Sequence, residues 1–361
     1  MFRLEGSQSF DASHVNTWVA VSLVCGVQEL DLFIRIEGRT DHALPRDLFT
    51  SRTMVVLKLG TGFVMNVPPS VCMQSLKILH LHSVELIDDD SIYRLICGCP
   101  VLDELSMKGC VGKDVHVIHI FAPVLTKLFI RPLVYYYHFD EVFKHKIALD
   151  TPALLYLELE TDSVEGYLVK NLSHLVTVNI GIGYWPKAEN FSDSVTDLFV
   201  GISSIQCLHA YSDFLVVLHQ CNYHLPMFHN LTSLRLYMSG LAAWETMFWL
   251  LQKSPRLETL VFSNGSLLSP NRCWDQPQNV SKCLGSHLKV VEIFDLFEWE
   301  VYKEELKMVE YFLKNAEVLK KLIIHSGNLD FAVEKEKAKV KVLKKLLSFP
   351  RGSKVCQIVM R

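Results

Sequence analysis

The chain has 361 residues, with 39 acidic against 36 basic side chains and a formal net charge of -3. That length exceeds a typical single core, so two domains or one elongated repeat array is expected. Half of the residues are hydrophobic and 21% are charged, which excludes a disordered chain. The near-balance of charge gives the chain as a whole no nucleic-acid or membrane footprint.

Ten cysteines follow no regular spacing, and Cys97, Cys99 and Cys110 form the one local cluster. With His116 and His119 they make a zinc set only on paper, because structural zinc is held by four ligands at paired-knuckle spacing. The reading is reduced thiols in a protein of the cytoplasm, the nucleus or both, with no metal and no cofactor. Met1 to Phe10 lacks a basic stretch followed by an apolar core, so no secretory signal is read there. No uncharged apolar run reaches the roughly 18 residues that span a bilayer. The triplets at Asn171, Asn190, Asn230, Asn264 and Asn279 are therefore not read as glycosylation sites.

In chain order, Asp11 to Val24 predicts a helix. Asp11 or Ser13 caps it, Val15, Trp18, Val19, Ser22 and Leu23 share a face, and Gly26 ends it. Next, Val27/Leu30/Leu32 gives the first Leu-x-x-Leu-x-apolar frame. The frame recurs at Met54/Leu57/Leu59, Leu76/Leu79/Leu81, Leu102/Leu105/Met107, Leu125/Leu128/Ile130 and Leu154/Leu157/Leu159. It continues at Leu175/Val178/Ile180, Ile205/Leu208/Ala210, Leu231/Leu234/Leu236, Leu257/Leu260/Phe262, Leu288/Val291/Ile293 and Leu319/Leu322/Ile324. The twelve copies follow at a mean of about 26 residues, inside the ~20–29 of leucine-rich repeats. Residues two apart on a strand share a face, so Leu105 and Met107 point inward while Ser106 and Lys108 point out. One such strand cannot bury its apolar side alone, whereas a parallel stack makes one continuous core. The expected fold is an α/β, irregular leucine-rich-repeat solenoid.

Helices are expected between frames, on the outer face. Asp88 to Ser91 cap Ile92–Cys97, and Ser192 and Asp193 precede Val195, Leu198, Phe199 and Ile202. Leu241, Trp244, Met247, Phe248 and Leu251 recur at helical spacing before Pro255. Pro100, Pro123, Pro152 and Pro255 each stand two residues before a frame's first leucine, where a missing N–H and a fixed φ break a helix ahead of the strand. No regular asparagine ladder is present.

Leu76 to His82, the acidic run Asp88 to Asp90, and Leu95 to Leu105 resemble the plant F-box/FBD leucine-rich-repeat proteins. So does Asp11 to Trp18, which is similar to the segment before their first repeat. The C-terminal blocks resemble their FBD domain: Trp274 to Pro277, Val280, Cys283-Leu284 and His287 to Ile293; then Glu304 to Leu306, Val309, Tyr311 to Ala316 and Val318 to Leu322; then Leu347 to Arg351, Ser353 and Cys356. The resemblance covers nearly the whole chain. It implies the substrate-recognition part of an SCF-type ubiquitin ligase, a binding scaffold and not an enzyme. In that family an F-box binds the Skp adaptor of the cullin complex, and the repeats hold the protein to be ubiquitinated. Only ten residues precede Asp11, so the chain is expected to be a member without its adaptor-binding end. Ala43 to Phe49 resembles an F-box opening but falls after the first frame and reads as a repeat connector. Attachment to Skp and cullin is expected only if an F-box or a surrogate is present; otherwise the chain is a stand-alone interaction protein. The expected division is a helical lead-in over 1–26, repeats over 27–263, a linker over 264–285 rich in Gly, Pro, Asn and Ser, and the FBD domain over 286–361.

No catalytic residue is assigned: the chain carries no Gly-x-Ser-x-Gly elbow, His-Glu-x-x-His pair, phosphate loop or dinucleotide fingerprint. The stretch Glu334 to Leu347 has six lysines against two glutamates, but Val340, Leu343 and Leu347 recur at helical spacing. It reads as an amphipathic helix with a solvated face, not a nucleic-acid contact. The expected protein-binding surface is the outward side of the strands, presenting His80, His82, Ser106, Lys108, Phe129, Arg131, Glu158, Glu160, Arg235 and Tyr237. Aromatic and arginine side chains are common interface anchors. The bound protein is not named by the sequence.

Overall fold

The computed structural model describes residues 1–36, 44–110, 112, 114–132, 145–161, 164–182, 191–220, 225–238, 241–263, 277, 279–294, 302–325, 340 and 342–361. They pack as two units, Met1–Leu175 with Gly183–Ile202, and Val176–Ile182 with Ser203–Arg361.

The first unit runs β1 (Phe2–Phe10), α1 (Ala12–Val24), β2 (Glu29–Ile36), a 3-10 turn (Arg46–Thr50), β3 (Val56–Leu59), β4 (Val64–Met65), β5 (Ile78–His82), β6 (Glu85–Leu86) and α2 (Asp90–Cys97). It continues with β7 (Glu104–Lys108), β8 (Val117–Phe121), β9 (Lys127–Arg131), β10 (His145–Asp150), β11 (Tyr156–Thr161) and β12 (Val164–Lys170). The second unit begins with β13 (Thr177–Ile182), after which α3 (Phe191–Gly201) belongs again to the first. The rest of the second unit is β14 (Cys207–Ala210), α4 (Ser212–Gln220), β15 (Ser233–Tyr237), α5 (Leu241–Lys253), β16 (Thr259–Ser263), α6 (Lys282–Ser286), β17 (Val290–Ile293), α7 (Tyr302–Asn315), β18 (Lys321–Ile324) and β19 (Gln357–Met360).

In the first unit β1-β2-β3-β5-β7-β9-β11 are neighbours in that order, each pair parallel. Leu30, Leu57, Leu79, Leu105, Leu128 and Leu157 stand in register across these strands and are fully buried. In the second unit Val178, Leu208, Leu234, Leu260, Val291 and Leu322 do the same across β13-β14-β15-β16-β17-β18. All twelve frames are therefore sheet strands. The solenoid expected from their spacing is the fold observed, in which a strand's apolar row is buried against neighbouring strands and the segments packed behind them, as Phe262 is against Phe312.

A single backbone junction recurs between repeats. The carbonyl of Lys77 accepts both Asp103 N–H (2.9 Å) and Glu104 N–H (3.0 Å), and the carbonyl of Asp103 accepts Thr126 N–H (3.0 Å) and Lys127 N–H (3.1 Å). In the second unit the carbonyls of Gln206 and Thr232 make the same double contact with Thr232 and Ser233, and with Glu258 and Thr259. The accepting residue always follows the frame's first apolar residue, so this junction sets the register of the next strand. Polar side chains add links where an asparagine ladder is missing. Ser75 Oγ donates to the Arg52 carbonyl (2.7 Å), Thr126 Oγ1 to the Asp103 carboxylate (2.6 Å) and Ser353 Oγ to the Leu319 carbonyl (2.7 Å).

Three expectations change. The four prolines are turn residues. Leu102, Leu125, Leu154 and Leu257 each donate N–H to the carbonyl three residues back, at 3.1, 3.4, 3.1 and 3.3 Å, and the proline takes the second turn position. Pro123 and Pro152 follow strands, so there is no helix there to break. The connectors are also not all helical. β8, β10 and β12 form a second parallel sheet, with α2 packed on β8 and α3 on β12. Gly166 and Gly201 let α3 lie close, since a Cβ there would meet Ser194 Oγ at 2.9 Å and Val169 Cγ1 at 2.7 Å. The lead-in is more than a helix. Residues 2–10, ahead of α1, form β1, which pairs with β2 and is broken in register between Gly6 and Ser9.

The first helix is as read. Asp11 accepts Ser13 N–H at 2.7 Å as N-cap, Val15, Val19 and Ser22 are buried, and Gly26 turns the chain at φ +66°. Leu48 and Phe49 are buried in the 3-10 turn between β2 and β3, the connector role expected. In the second unit α4 packs on α5, α5 on α6 and α6 on α7. Ala43, Asn190, residues 264–276 and 278 of the expected linker, and residues 334–339 and 341 of the lysine-rich stretch lie outside the described residues. The described part of that stretch is helical, but Val342 and Leu346 are the buried pair, while Val340 and Leu347 are exposed. Its apolar stripe is thus displaced from the Val340/Leu343/Leu347 set expected from spacing. Lys344 and Lys345 face solvent as expected.

Leu260 is fully buried between two paired strands, so Leu260→Ala leaves a cavity in the stack. Urea denaturation should show a loss of about 2–5 kcal/mol. Lys58→Ala, at an outward position, should stay within about 0.5 kcal/mol. Equal effects of the two would contradict the inward assignment.

Candidate protein-binding surface

The inward rows leave the alternate residues of each strand on the other side of the sheet. In the first unit one outward row runs Arg3, Asp31, Lys58, His80, Ser106, Phe129, Glu158. The row beside it brings His82, Lys108 and Arg131 into register. The structure thus groups His80, His82, Ser106, Lys108, Phe129, Arg131 and Glu158 as strand neighbours, with Glu160 two residues beyond Glu158 on β11. Arg235 and Tyr237 belong to the second unit and have different neighbours.

Several charges of the first-unit surface are paired within the chain. Glu104 takes His80 Nε2 at 2.8 Å and Lys127 Nζ at 3.5 Å. Arg3 pairs with Glu5 at 2.7 Å and lies 3.7 Å from Asp31. Arg131 donates Nε–H to Glu158, and its guanidinium stands 5.2 Å from the Phe129 ring centre. Glu158 was expected as an exposed contact and is instead buried at 7% exposure. The cause is this pairing, completed by the Tyr156 hydroxyl donating to Glu158 at 3.2 Å. Burial, followed by the charge of Glu158 and that hydrogen bond, pushes the Tyr156 phenol up to about 12. The hydrogen bond to Glu158 holds the Arg131 guanidinium above its ordinary value.

His82 is packed against Phe33, with ring centres 5.0 Å apart. Its Nδ1 is buried and makes no hydrogen bond among the described residues. Burial first, and then the charge of Lys108, hold its imidazole below the usual histidine range.

The second-unit surface is aromatic and less neutralised. Tyr211 and Tyr237 stack at 4.5 Å with 12° between planes. Phe294 and His325 stack at 4.0 Å and 2°, and His325 Nε2 meets Glu292 Oε1 at 2.6 Å. Arg235 lies between these pairs, donating to Ser263 Oγ at 3.1 Å with its guanidinium 5.9 Å from the Phe294 ring centre. The sequence reading passed over Tyr211, Phe294 and His325. Each stands directly after a frame's last residue, as Tyr237, His82, Lys108 and Arg131 do, so that one frame position lists the row.

The cysteines weighed and set aside as zinc ligands differ in exposure. Cys97 is exposed, Cys99 and Cys110 are buried, and Cys110 Sγ lies 3.5 Å from the Leu81 carbonyl. Among the described residues no three His, Cys, Asp or Glu are grouped to hold a metal ion. The eight described cysteines are unpaired thiols, and burial raises those of Cys99, Cys110 and Cys283 to about 12. No helix among the described residues is long and apolar enough to cross a membrane.

Stacked parallel strands carrying a repeated Leu-x-x-Leu-x-apolar frame define a leucine-rich-repeat protein. Comparison with known families narrows this. The profile described as "FBD-associated F-box protein At5g56370, LRR repeats" matches residues 15–167, and the FBD profile matches 276–324, a span that takes in α6, β17, α7 and β18. A putative FBD-associated F-box protein of Arabidopsis thaliana is 30% identical over 363 residues, covering 96% of this chain and 78% of its own length. An F-box/FBD/LRR-repeat protein of the same plant is 30% identical over 363 residues, with 98% and 79% covered. An F-box/LRR-repeat protein is 27% identical over 376 residues, with 97% and 77% covered. The chain belongs to the F-box/FBD/LRR-repeat family.

The lowered basicity of His82 has a sign. Between about pH 6.5 and its lower folded value the unfolded chain binds more protons at this site, so the histidine removes stability as pH falls through that window. An NMR titration should place His82 below about 6.5 and move it upward in Lys108→Ala. A midpoint at or above the free-histidine value would contradict the packing described.

Proposed function

We propose that this chain is a protein-binding scaffold acting as the substrate-recognition part of an SCF-type ubiquitin ligase. The observation that carries this is family membership along nearly the whole chain, joined to an outward strand surface bearing aromatic and arginine side chains. Such side chains anchor protein interfaces. The residues assigned to binding are His80, His82, Lys108, Phe129, Arg131, Arg235 and Tyr237, with Glu158 holding Arg131 in place. Catalysis in such a ligase needs no acid, base or nucleophile from the scaffold. Holding the substrate beside a charged carrier enzyme raises its effective concentration. The division into lead-in, repeats, linker and FBD domain is part of this proposal, as is a site of action in the cytoplasm or nucleus.

A second reading is a stand-alone interaction protein with no ligase attachment. What favours it is the fate of Leu44 to Phe49, the stretch resembling an F-box opening. Its Leu44, Leu48 and Phe49 are buried in the connector between β2 and β3, so they are not presented to an adaptor.

Calorimetry of the purified chain against a plant Skp adaptor separates the two. The ligase reading expects saturable binding with a Kd of about micromolar or tighter. Absence of binding by a folded sample would remove the adaptor from this chain's partners and leave the stand-alone scaffold.

A further inference from the structure

Arg131 and Arg235 occupy outward positions on the two units and differ in one respect. Arg131 is neutralised within the chain by Glu158. Arg235 has Ser263 Oγ at 3.1 Å and the Phe294 ring at 5.9 Å, and among the described residues no carboxylate lies within ion-pairing distance of it. The acid in its own row, Glu292, is taken by His325 at 2.6 Å. On the preceding strand His209 stands in register with Arg235, and its imidazole is held below the ordinary range by burial and then by the Arg235 charge. The second-unit surface thus carries a half-buried guanidinium with spare donors beside a stacked tyrosine pair.

We propose that the outward surface of the second unit, centred on Arg235, binds an extended acidic segment of a partner protein, with an Asp or Glu carboxylate on the guanidinium and an aromatic side chain against Tyr211 and Tyr237. This rests on the protein-binding reading above and names the chemistry of what is bound. A carboxylate matches the planar fork of an arginine and supplies the countercharge the surface lacks. Arg235 and Tyr237 are two residues apart on one strand and share its outward side. An extended segment presents its own side chains on one side at the same two-residue period, about 6.8 Å. The segment should therefore place its acid and its aromatic two positions apart, in either order. A polyanion is the poorer match, because phosphate chains are held by several cations and here a carboxylate, Glu292, lies in the same row.

The test pans a displayed library of random peptides on the intact chain. Recovered sequences should be enriched in Asp or Glu two positions from Trp, Tyr or Phe. A synthetic peptide from that pool should lose about tenfold or more in affinity when its acid becomes the amide, and equally when the chain carries Arg235→Gln. Arg256→Gln, at an exposed turn position ahead of β16 with no part in the surface, should leave affinity within about twofold. If Arg235→Gln does not fold, Tyr237→Ala and the weakening of binding with added salt take its place. Peptides that bind without an acid, or that survive both substitutions, would overturn the inference while leaving a protein-binding surface. Preference for single-stranded RNA, or for a phosphopeptide over its Glu form by about a hundredfold, would overturn it too. No enrichment at all would overturn it and leave adaptor binding, measured separately, to decide the ligase reading.

Discussion

Within each unit, one backbone carbonyl of a repeat accepts two N–H groups from the next frame, and the rest of the structure follows from that junction. The accepting residue is fixed relative to its frame, as Lys77 is to Leu76, so the next strand enters the sheet in only one register. A slip of one residue would turn every apolar side chain outward. The junction therefore decides at once which residues make the core and which are shown to solvent. It also explains why the repeats tolerate irregular lengths: whatever lies between two frames, the chain re-enters at the same carbonyl. A turn before the frame, tightened by proline in four repeats, aims it there.

What lies between frames differs between the units for a local reason. Val117 to Phe121 and His145 to Asp150 alternate, with Ile118/Ile120 and Ile147/Leu149 buried, so they make strands that pair with each other. Ser212 to Gln220 and Leu241 to Lys253 follow the helical period and make helices that pack side by side. The two surfaces differ in chemistry as well. In the first unit, carboxylates at Asp31, Glu104 and Glu158 meet cations on the same sheet; the partly exposed pairs at Asp31 and Glu104 contribute about 0–1 kcal/mol each, whereas Glu158 is buried. Their effect is to leave few charges unmatched. In the second unit aromatic stacking stands beside the Lys289–Glu258 and His325–Glu292 pairs, and the Arg235 guanidinium keeps spare donors.

Much of this was legible in the sequence because the frame is repeated. A single Leu-x-x-Leu-x-apolar string says little, whereas twelve at near-constant spacing name both the strands and their inward residues. The outward list was legible only in part. Tyr211, Phe294 and His325 occupy the same frame position as Tyr237 but read as unremarkable residues until their partners are known. Glu158 read as exposed because alternation places it outward. Alternation does not show that Arg131 and Tyr156 close over it. β1 was hidden because Gly6 to Ser9 break its pattern and no frame marks it. The amphipathic stripe near Val340 was displaced because several apolar residues there satisfy helical spacing, and only packing chooses Val342 and Leu346.

The account places recognition on the outward strand rows and not on the helices. The direct measurement puts one photo-crosslinking residue into the intact chain, at Tyr237 on a strand or at exposed Gln252 on α5, in plant extract. It predicts discrete protein adducts at position 237 that are absent or weak at position 252. Adducts of equal strength at both, or at 252 alone, would contradict it.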